Sequence, residues 1–569
     1  MPIPQVPSPL TSILAAGTYD SMWFPGNTIE EQIQNAINAA AADGAPRVLV
    51  HSPYSATLIS FNANVQMVRE GGDWSDFDVE AYGATGDAVT VDAVAIKAAI
   101  TAATLFGGGD VTFPSPTYNL GNRSGGETIF DTGSISNIRF IGPTTLLVNT
   151  TDQSVTQIFY VANPQNVEWR NIYFRDTGTS LSVDWKGSDC IRCYGTGAVA
   201  TYNGVRIIGC RADNVVSFVI FGNTLDTDAR IRDIRVEDCI IRNSYYGVVC
   251  QENGDGLRGN WRCENVRRAY FPYGVTDHSV EISITHDGVA LGANSACLIK
   301  RYKRDTKNIS VKLRFYGSVV QYGTGITLEH QPIANAPSTI EDIDIDLHIS
   351  ENIVNNNSMV PFRFRSYTDV GVEETVTTAN RWDKVSLRGS VGKLTGGIGS
   401  MAFGCAQTTE GRLYLDPSIY VAAQAASPHY PGFVVRIAHD REFRTLAGSL
   451  TTQTLLLPFG PASVYPSFDA NAFTIRVIVY AHDDKTALAA QNSTLEEDVI
   501  IGYNASGGGA VGIQVVANLF KVAQGNAVTV VYTASGENIA VTFTGASYNN
   551  ANAFARVETQ YVSRGPLIQ

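Results

Sequence analysis

The chain has 569 residues, more than one hydrophobic core normally supports, so it either holds several domains or grows in one dimension as a repeat. Only 17% of residues are charged and 52 are glycine, a composition of turns and strands that excludes a mostly helical protein. A formal charge of -13 excludes nucleic acid and anionic membranes as partners of the chain as a whole, leaving only a local basic groove open.

No segment has the length and apolarity of a membrane span, so no membrane insertion is expected. The start, MPIPQVPSPL, lacks the basic residues and apolar run of a secretory signal, which points to synthesis in a cytoplasm followed by assembly or lysis. Taken in order, the first element is a helix-to-strand unit, Thr28 to Ser55. Its Ile33, Ile37 and Val48 each stand 63 residues before Ile96, Ile100 and Val111. The second unit is the most informative stretch of the chain, DFDVEAYGATGDAVTVDAVAIKAAITAATLFGGGDVTFPSPTY from Asp76 to Tyr118. An extended piece (Phe77, Val79) enters a Gly/Asp turn, an apolar-periodic helix follows (Val94, Ile96, Ala99, Ile100, Ala103), and Gly107 to Gly109 lead into a short strand, Val111 to Phe113. This is the order of a capped solenoid: the helix covers the open end of a stack whose first rung would otherwise expose apolar cross-section and unpaired backbone.

From Ile135 to about Asp416 short apolar or alternating strands recur: NIRFIG, NVEWRNIYF, GVRIIGCRADN, IRDIRVEDCIIRN, GNWRCENV, SVEISITHDG, NISVKLRFYG, IEDIDIDLHISEN, WDKVSLRGSV and GRLYLDPSIYV. A second series lies half a turn away: SFVIFGN, YGVVCQEN, AYFPYGV, ACLIKRY, GITLEHQ, VPFRFRS and MAFGCAQ. Asparagine and glycine at strand ends suit corners that need left-handed backbone. No helix of ordinary length interrupts the series, which disfavours βαβ folds. Cys210, Cys239 and Cys263 recur near one place in successive rungs and read as a ladder of buried free thiols; Cys190 and Cys193 form a lone C-x-x-C without a second pair, so neither metal nor cofactor is expected. After about Glu442 the strands become longer, alternating and closely spaced, the pattern of an antiparallel sandwich.

In content and order the cap and the stack resemble the pectate-lyase-superfamily right-handed parallel β-helix, as found in bacteriophage tailspikes that degrade bacterial surface polysaccharides. The fold class expected is therefore all-β: an N-terminal adaptor or neck with a helix-strand unit (1–75), a capped right-handed parallel β-helix (76–441) and a C-terminal antiparallel β-sandwich (442–569). The resemblance implies a homotrimeric, virion-associated depolymerase. It would attach through its N-terminus to a phage tail or baseplate protein, and its C-terminal domain would serve trimerisation, glycan binding or both. Its substrate would be a capsule, O-antigen or exopolysaccharide.

Glycoside hydrolysis needs two carboxyl groups roughly 5 to 9.5 Å apart, and rungs about 4.8 Å apart supply such pairs without any local motif. The richest cluster is mid-stack. Glu329 is the leading catalytic candidate, as general acid or nucleophile, with Glu252 or Asp255 as partner. Lys300 and Arg301 would hold a carboxylate ionised or bind an acidic sugar, and Asp277, His278, His330, Trp261, Tyr302 and Arg363 complete the expected saccharide site, with Tyr245, Tyr246, Tyr270, Tyr273, Tyr316 and Tyr322 nearby as flat rings for stacking. If Val248, Ile299, Leu328 and Phe364 point inward, Lys300, Glu329, Arg363 and Arg365 form a column of alternating charge outside. That column also reads as an exposed ionic ladder without catalytic role. The acids Glu341, Asp342, Asp344 and Asp346 read as a solvated strand face, with a calcium site as the alternative. Of the polygalacturonase-like motif set only NTLD (Asn223 to Asp226) and LIKR (Leu298 to Arg301) appear, so none of its catalytic assignments transfers. Eliminative cleavage, with Arg301, Lys300 or His278 as base, and a non-catalytic glycan-binding fibre remain the alternatives.

Overall fold

A computed structural model describes residues 17–51 and 54, most of 58–178, then 187–196, 201–222, 229–286, 295–301 and 304–317, and beyond 318 the strands with few adjoining residues. The chain divides into two compact units, 1–297 and 298–569.

The first unit opens with a three-stranded parallel sheet, Thr18–Asp20, Arg47–Val50 and Gln66–Arg69, covered by the helix Ile29–Asp43. That helix forms where the sequence places its signals: Thr28 caps it by accepting from the Glu31 amide at 3.2 Å, Ile33 and Ile37 are buried, and Gly44 ends it in left-handed backbone. The second helix, Ala93–Leu105, buries Ile96, Ala99, Ile100 and Ala103. The stack starts one strand earlier than expected, at Asp76–Asp78, whose Phe77 pairs in parallel with Val111.

From there every described pairing up to His286 is parallel. One sheet runs through Ile138–Thr150, Val167–Asp176, Thr201–Ile208 with Arg211–Asp213, Arg230–Gln251, Leu257–Tyr273 and Thr276–His286. A second runs through Thr128–Ser136, Val155–Gln165, Gly187–Tyr194, Ser217–Phe221 and the later halves of the two long strands. Both deposit apolar columns inside, Phe140–Trp169–Ile207–Val236 in one and Phe130–Phe159–Ile191–Val219–Val248–Tyr270 in the other, all fully buried. Asparagines hold the corners. Asn137 and Asn166, both at positive φ, are linked by a 3.1 Å side-chain hydrogen bond, and Asn214, Asn243 and Asn265 repeat the conformation at another corner. This is a parallel β-helix; the strands expected from sequence up to His286 lie on its rungs, Thr128–Ser136, Val155–Gln165 and Gly187–Tyr194 are rungs the sequence reading missed, and the strand expected from Gly411 belongs to a later sheet, pairing with Phe433–His439.

The thiol ladder needs correcting. Cys190, Cys193, Cys210, Cys239 and Cys263 are buried and free, and burial pushes the Cys210 thiol up to about 12. The partner of Cys239 in the next rung, however, is Trp261; Cys263 pairs with Ile241. Cys263 stands two residues beyond Trp261, the partner of Cys239, so these two thiols are out of register.

In the second unit Thr306–Gly317, Ser338–Ile349 and Asn380–Val391 stack in parallel, as do Thr324–His330, Val360–Ser366 and Ala402–Phe403. Here the acidic string is a charged outer face: Glu341 pairs with Lys307 at 3.3 Å, Asp346 with Arg314 at 2.6 Å and Asp344 with Arg388 at 2.7 Å, so cations take the positions a calcium ion would need. Farther on the pairing turns antiparallel, through Phe433–His439, Ala551–Val562, Ala472–Asp483, Ser493–Asn504 and Val511–Gln524, and through Gln453–Pro458, Asn538–Thr544 and Thr529–Ser535. The face-to-face packing that would make these two sheets a sandwich lies outside the described side chains.

Candidate functional site

Between two rungs of the first unit the turn Gln251–Gly256 carries Glu252 and Asp255, both buried. Glu252 is only 3% exposed and sits at φ 25, a region costly for a residue with a Cβ. Its amide donates to Tyr273 O at 2.8 Å, and its carboxylate lies on Gly274, where a Cβ would come within 2.4 Å of Oε2. The left-handed backbone of Gly274, φ 64, favours glycine there as well. Asp255 is 4% exposed; its Oδ1 accepts from the Thr276 amide at 2.9 Å and its Oδ2 from Arg230 at 3.1 Å. Burial raises the Asp255 pKa, against the opposing pull of Thr276 and Arg230.

His278 closes the turn from beneath. Its Nε2 lies 2.6 Å from Gly254 O and its Nδ1 2.5 Å from the Tyr270 hydroxyl. A carbonyl only accepts, so Nε2 carries the proton and Tyr270 donates to Nδ1. Burial lowers the imidazole pKa to about 4, so it is neutral at pH 7 and acts as a brace. Asp277 is exposed at φ 63, beside Thr276.

Trp261 was expected to offer a face to sugar, and here the structure corrects the sequence reading. It is 3% exposed, its indole N–H donates to Ala269 O at 3.3 Å, and its ring meets Tyr270 edge-on at 5.6 Å; it is a core residue. The rings that reach the outer face are others. Arg267 lies 4.6 Å over Tyr245, Arg268 lies 4.7 Å over Phe271, and Tyr160 and Tyr194 meet at 4.4 Å with Arg192 beside them.

The second unit holds the other candidates. Lys300 Nζ lies 3.1 Å from Glu329 Oε1, and Glu329 is 7% exposed, so the expected pairing forms but not as an open ladder. Arg301 and His330 are buried as well. Tyr302 and the side chain of Arg363 lie outside the described residues; the Arg363 backbone pairs with Thr327. Glu252 and Asp255 fall in the first unit and Glu329 in the second.

One carboxyl group escaped sequence reasoning. Asp189 is 4% exposed, hydrogen-bonds Ser217, has no partner for Oδ1 among the described residues, and burial raises its pKa to about 6. Its effect on stability is opposite to that of His278. The unfolded chain protonates His278 near 6.5, so stability is lost as pH falls from about 6.5 to about 4; at Asp189 the native state binds the extra proton, so stability is regained as pH falls from about 6 to about 4. Asp189→Asn is therefore expected to raise the unfolding free energy at pH 7 by up to about 3 kcal/mol, read as a higher urea midpoint, and to make the decline below pH 6 steeper. An unchanged or lower midpoint at pH 7 would refute this account.

No family model matches the chain, and no curated protein matches it. Among solved structures, the chain is similar to the tailspike protein of E. coli bacteriophage HK620 in complex with a pentasaccharide, 9% identical over 97% of this chain and 94% of that one, with a TM-score of 0.31. A tailspike protein from Acinetobacter baumannii bacteriophage Fri1, a capsular polysaccharide depolymerase, matches at 9% identity over 87% of each chain and a TM-score of 0.26. The A-module of a mannuronan C-5 epimerase from Azotobacter vinelandii matches at 16% identity over 63% of this chain and 97% of its own, with a TM-score of 0.32. Likenesses of this size carry no argument about what the chain binds or does.

Proposed function

We propose that the chain is a tailspike-type depolymerase that binds a bacterial surface polysaccharide, capsule, O-antigen or exopolysaccharide, and cleaves it by glycoside hydrolysis. The observation that supports this best is the turn Gln251–Gly256. Two carboxyl groups are held there on a parallel solenoid, one of them, Asp255, pushed toward its neutral form by burial, which is what a general acid needs. Glu252 is the matching carboxylate in that unit, and Glu329, ion-paired to Lys300, is the candidate in the other. Residues 1–75 are proposed to attach the protein to a phage tail or baseplate and residues 442–569 to trimerise it, so that it acts from the virion at the bacterial surface.

The test is incubation of the full chain with purified surface polysaccharides of candidate hosts. New reducing ends without ultraviolet absorbance support hydrolysis. Absorbance from an unsaturated product would replace it with β-elimination, and binding without new reducing ends would leave a non-catalytic fibre.

A further inference from the structure

The outer face of the first sheet carries charge in an order that the carboxyl turn does not explain. Arg206, Arg235 and Arg258 occupy one register column in three consecutive rungs, about 4.8 Å apart. Like charges stacked directly on neighbouring strands destabilise a sheet. Arg235 lies between Asp233 and Glu237, each at 3.8 Å, and the register partner of Arg206 in the preceding rung is Glu168, itself ion-paired to Arg170 at 2.7 Å. Arg206 and Arg258 are exposed and have no ion-pair partner among the described residues. Farther along the same strands Arg211 and Arg262 stand on either side of Ile240 in one column, with Tyr173 one rung before Arg211 and Arg262 paired to Glu264 at 3.0 Å. The strand that carries Arg235 begins at Arg230, which holds Asp255.

Residue choice points the same way as position. From Gly187 to Ile299, histidine apart, every cationic side chain is arginine and none is lysine. Lysine would serve solubility equally well, whereas the guanidinium fork pairs two-to-two with a carboxylate. In a chain whose formal charge is -13 this stacked column of like charge is a local exception.

We infer that the Arg206–Arg235–Arg258 column is a binding track for a carboxylate-bearing linear glycan lying along the solenoid axis. The inference rests on the polysaccharide reading above and names its substrate class as acidic. Nucleic acid is disfavoured because its dense phosphate charge meets repulsion from the rest of the chain, while the carboxylates of a uronate polymer are sparser.

The test titrates the full-length protein at low salt with polygalacturonate, hyaluronate and neutral dextran, using single-stranded DNA as competitor. At least one polyuronate is expected to bind about tenfold or more tighter than dextran and to weaken with salt, and the double variant Arg206→Gln/Arg258→Gln is expected to lose about tenfold or more of that binding with an unchanged melting midpoint. Arg206→Lys/Arg258→Lys, which keeps charge and loses the fork, is expected to fall between. Equal binding of dextran, unaltered binding by the glutamine double variant, or DNA outcompeting both polyuronates would each overturn the proposal. Arginine-dependent polyuronate binding by a protein that releases no reducing ends leaves the track standing and removes the hydrolase reading.

Discussion

Glu329→Gln is expected to slow the release of reducing ends by about 10²–10⁴-fold, the range that a positioned acid, base or nucleophile contributes. The glutamine keeps the shape of the side chain and one oxygen toward Lys300, so the change is confined to charge and proton transfer. Pairing with an ammonium at 3.1 Å suits a carboxylate that attacks or accepts a proton better than one that donates. A structural role predicts a different split. Because both partners are largely buried, loss of the pair would lower the melting midpoint clearly and leave turnover of the folded protein intact. Asp255→Asn and Glu252→Gln belong in the same series. If Glu329→Gln retains full turnover while either of those abolishes it, Glu329 leaves the mechanism and the chemistry belongs to the turn Gln251–Gly256.

The solenoid was legible because its signals are local. Period-two apolar strands such as Thr276–His286 and Ser338–Ile349, and asparagines at the corners, state rung and corner directly. Rungs were missed where that period breaks. In Val155–Gln165 the consecutive Ile158 and Phe159 are both buried, and in Gly187–Tyr194 every residue from Gly187 to Ile191 is, so the alternation that marks a strand is interrupted. The same break hid Asp189, whose face cannot be assigned by counting alternate residues once parity changes. Trp261 is the opposite case. Parity in WRCEN places Trp261 and Cys263 inside and Arg262 and Glu264 outside, as observed, and the error was to weigh nearness to acids above that alternation. The carboxyl turn was found as a cluster of residue types, but its geometry rests on Gly274 and Thr276, one rung away, which no local motif announces.

The inner columns should carry most of the stability, and Trp169→Ala tests this. The indole is fully buried, stacked on Phe140 at 5.2 Å and edge-on to Phe159 at 5.9 Å, so it joins the two sheets as well as successive rungs. Its removal is expected to cost about 3–5 kcal/mol of unfolding free energy, read as a lower guanidinium midpoint by circular dichroism. Relaxation cannot easily recover the loss. Rungs above and below are fixed by backbone pairing to Ile207 and Phe140, so the cavity stays open. Trp169→Phe separates packing from polarity. The indole N–H has no partner, an omission worth about 1–3 kcal/mol, and phenylalanine deletes that donor while keeping a ring against Phe140. Loss of ring area and recovery of the stranded donor then offset one another, and the phenylalanine variant is expected within about 1.5 kcal/mol of the parent. Equal destabilisation by both substitutions would mean that the indole N–H is satisfied in solution and that the column is held by that bond more than by its rings.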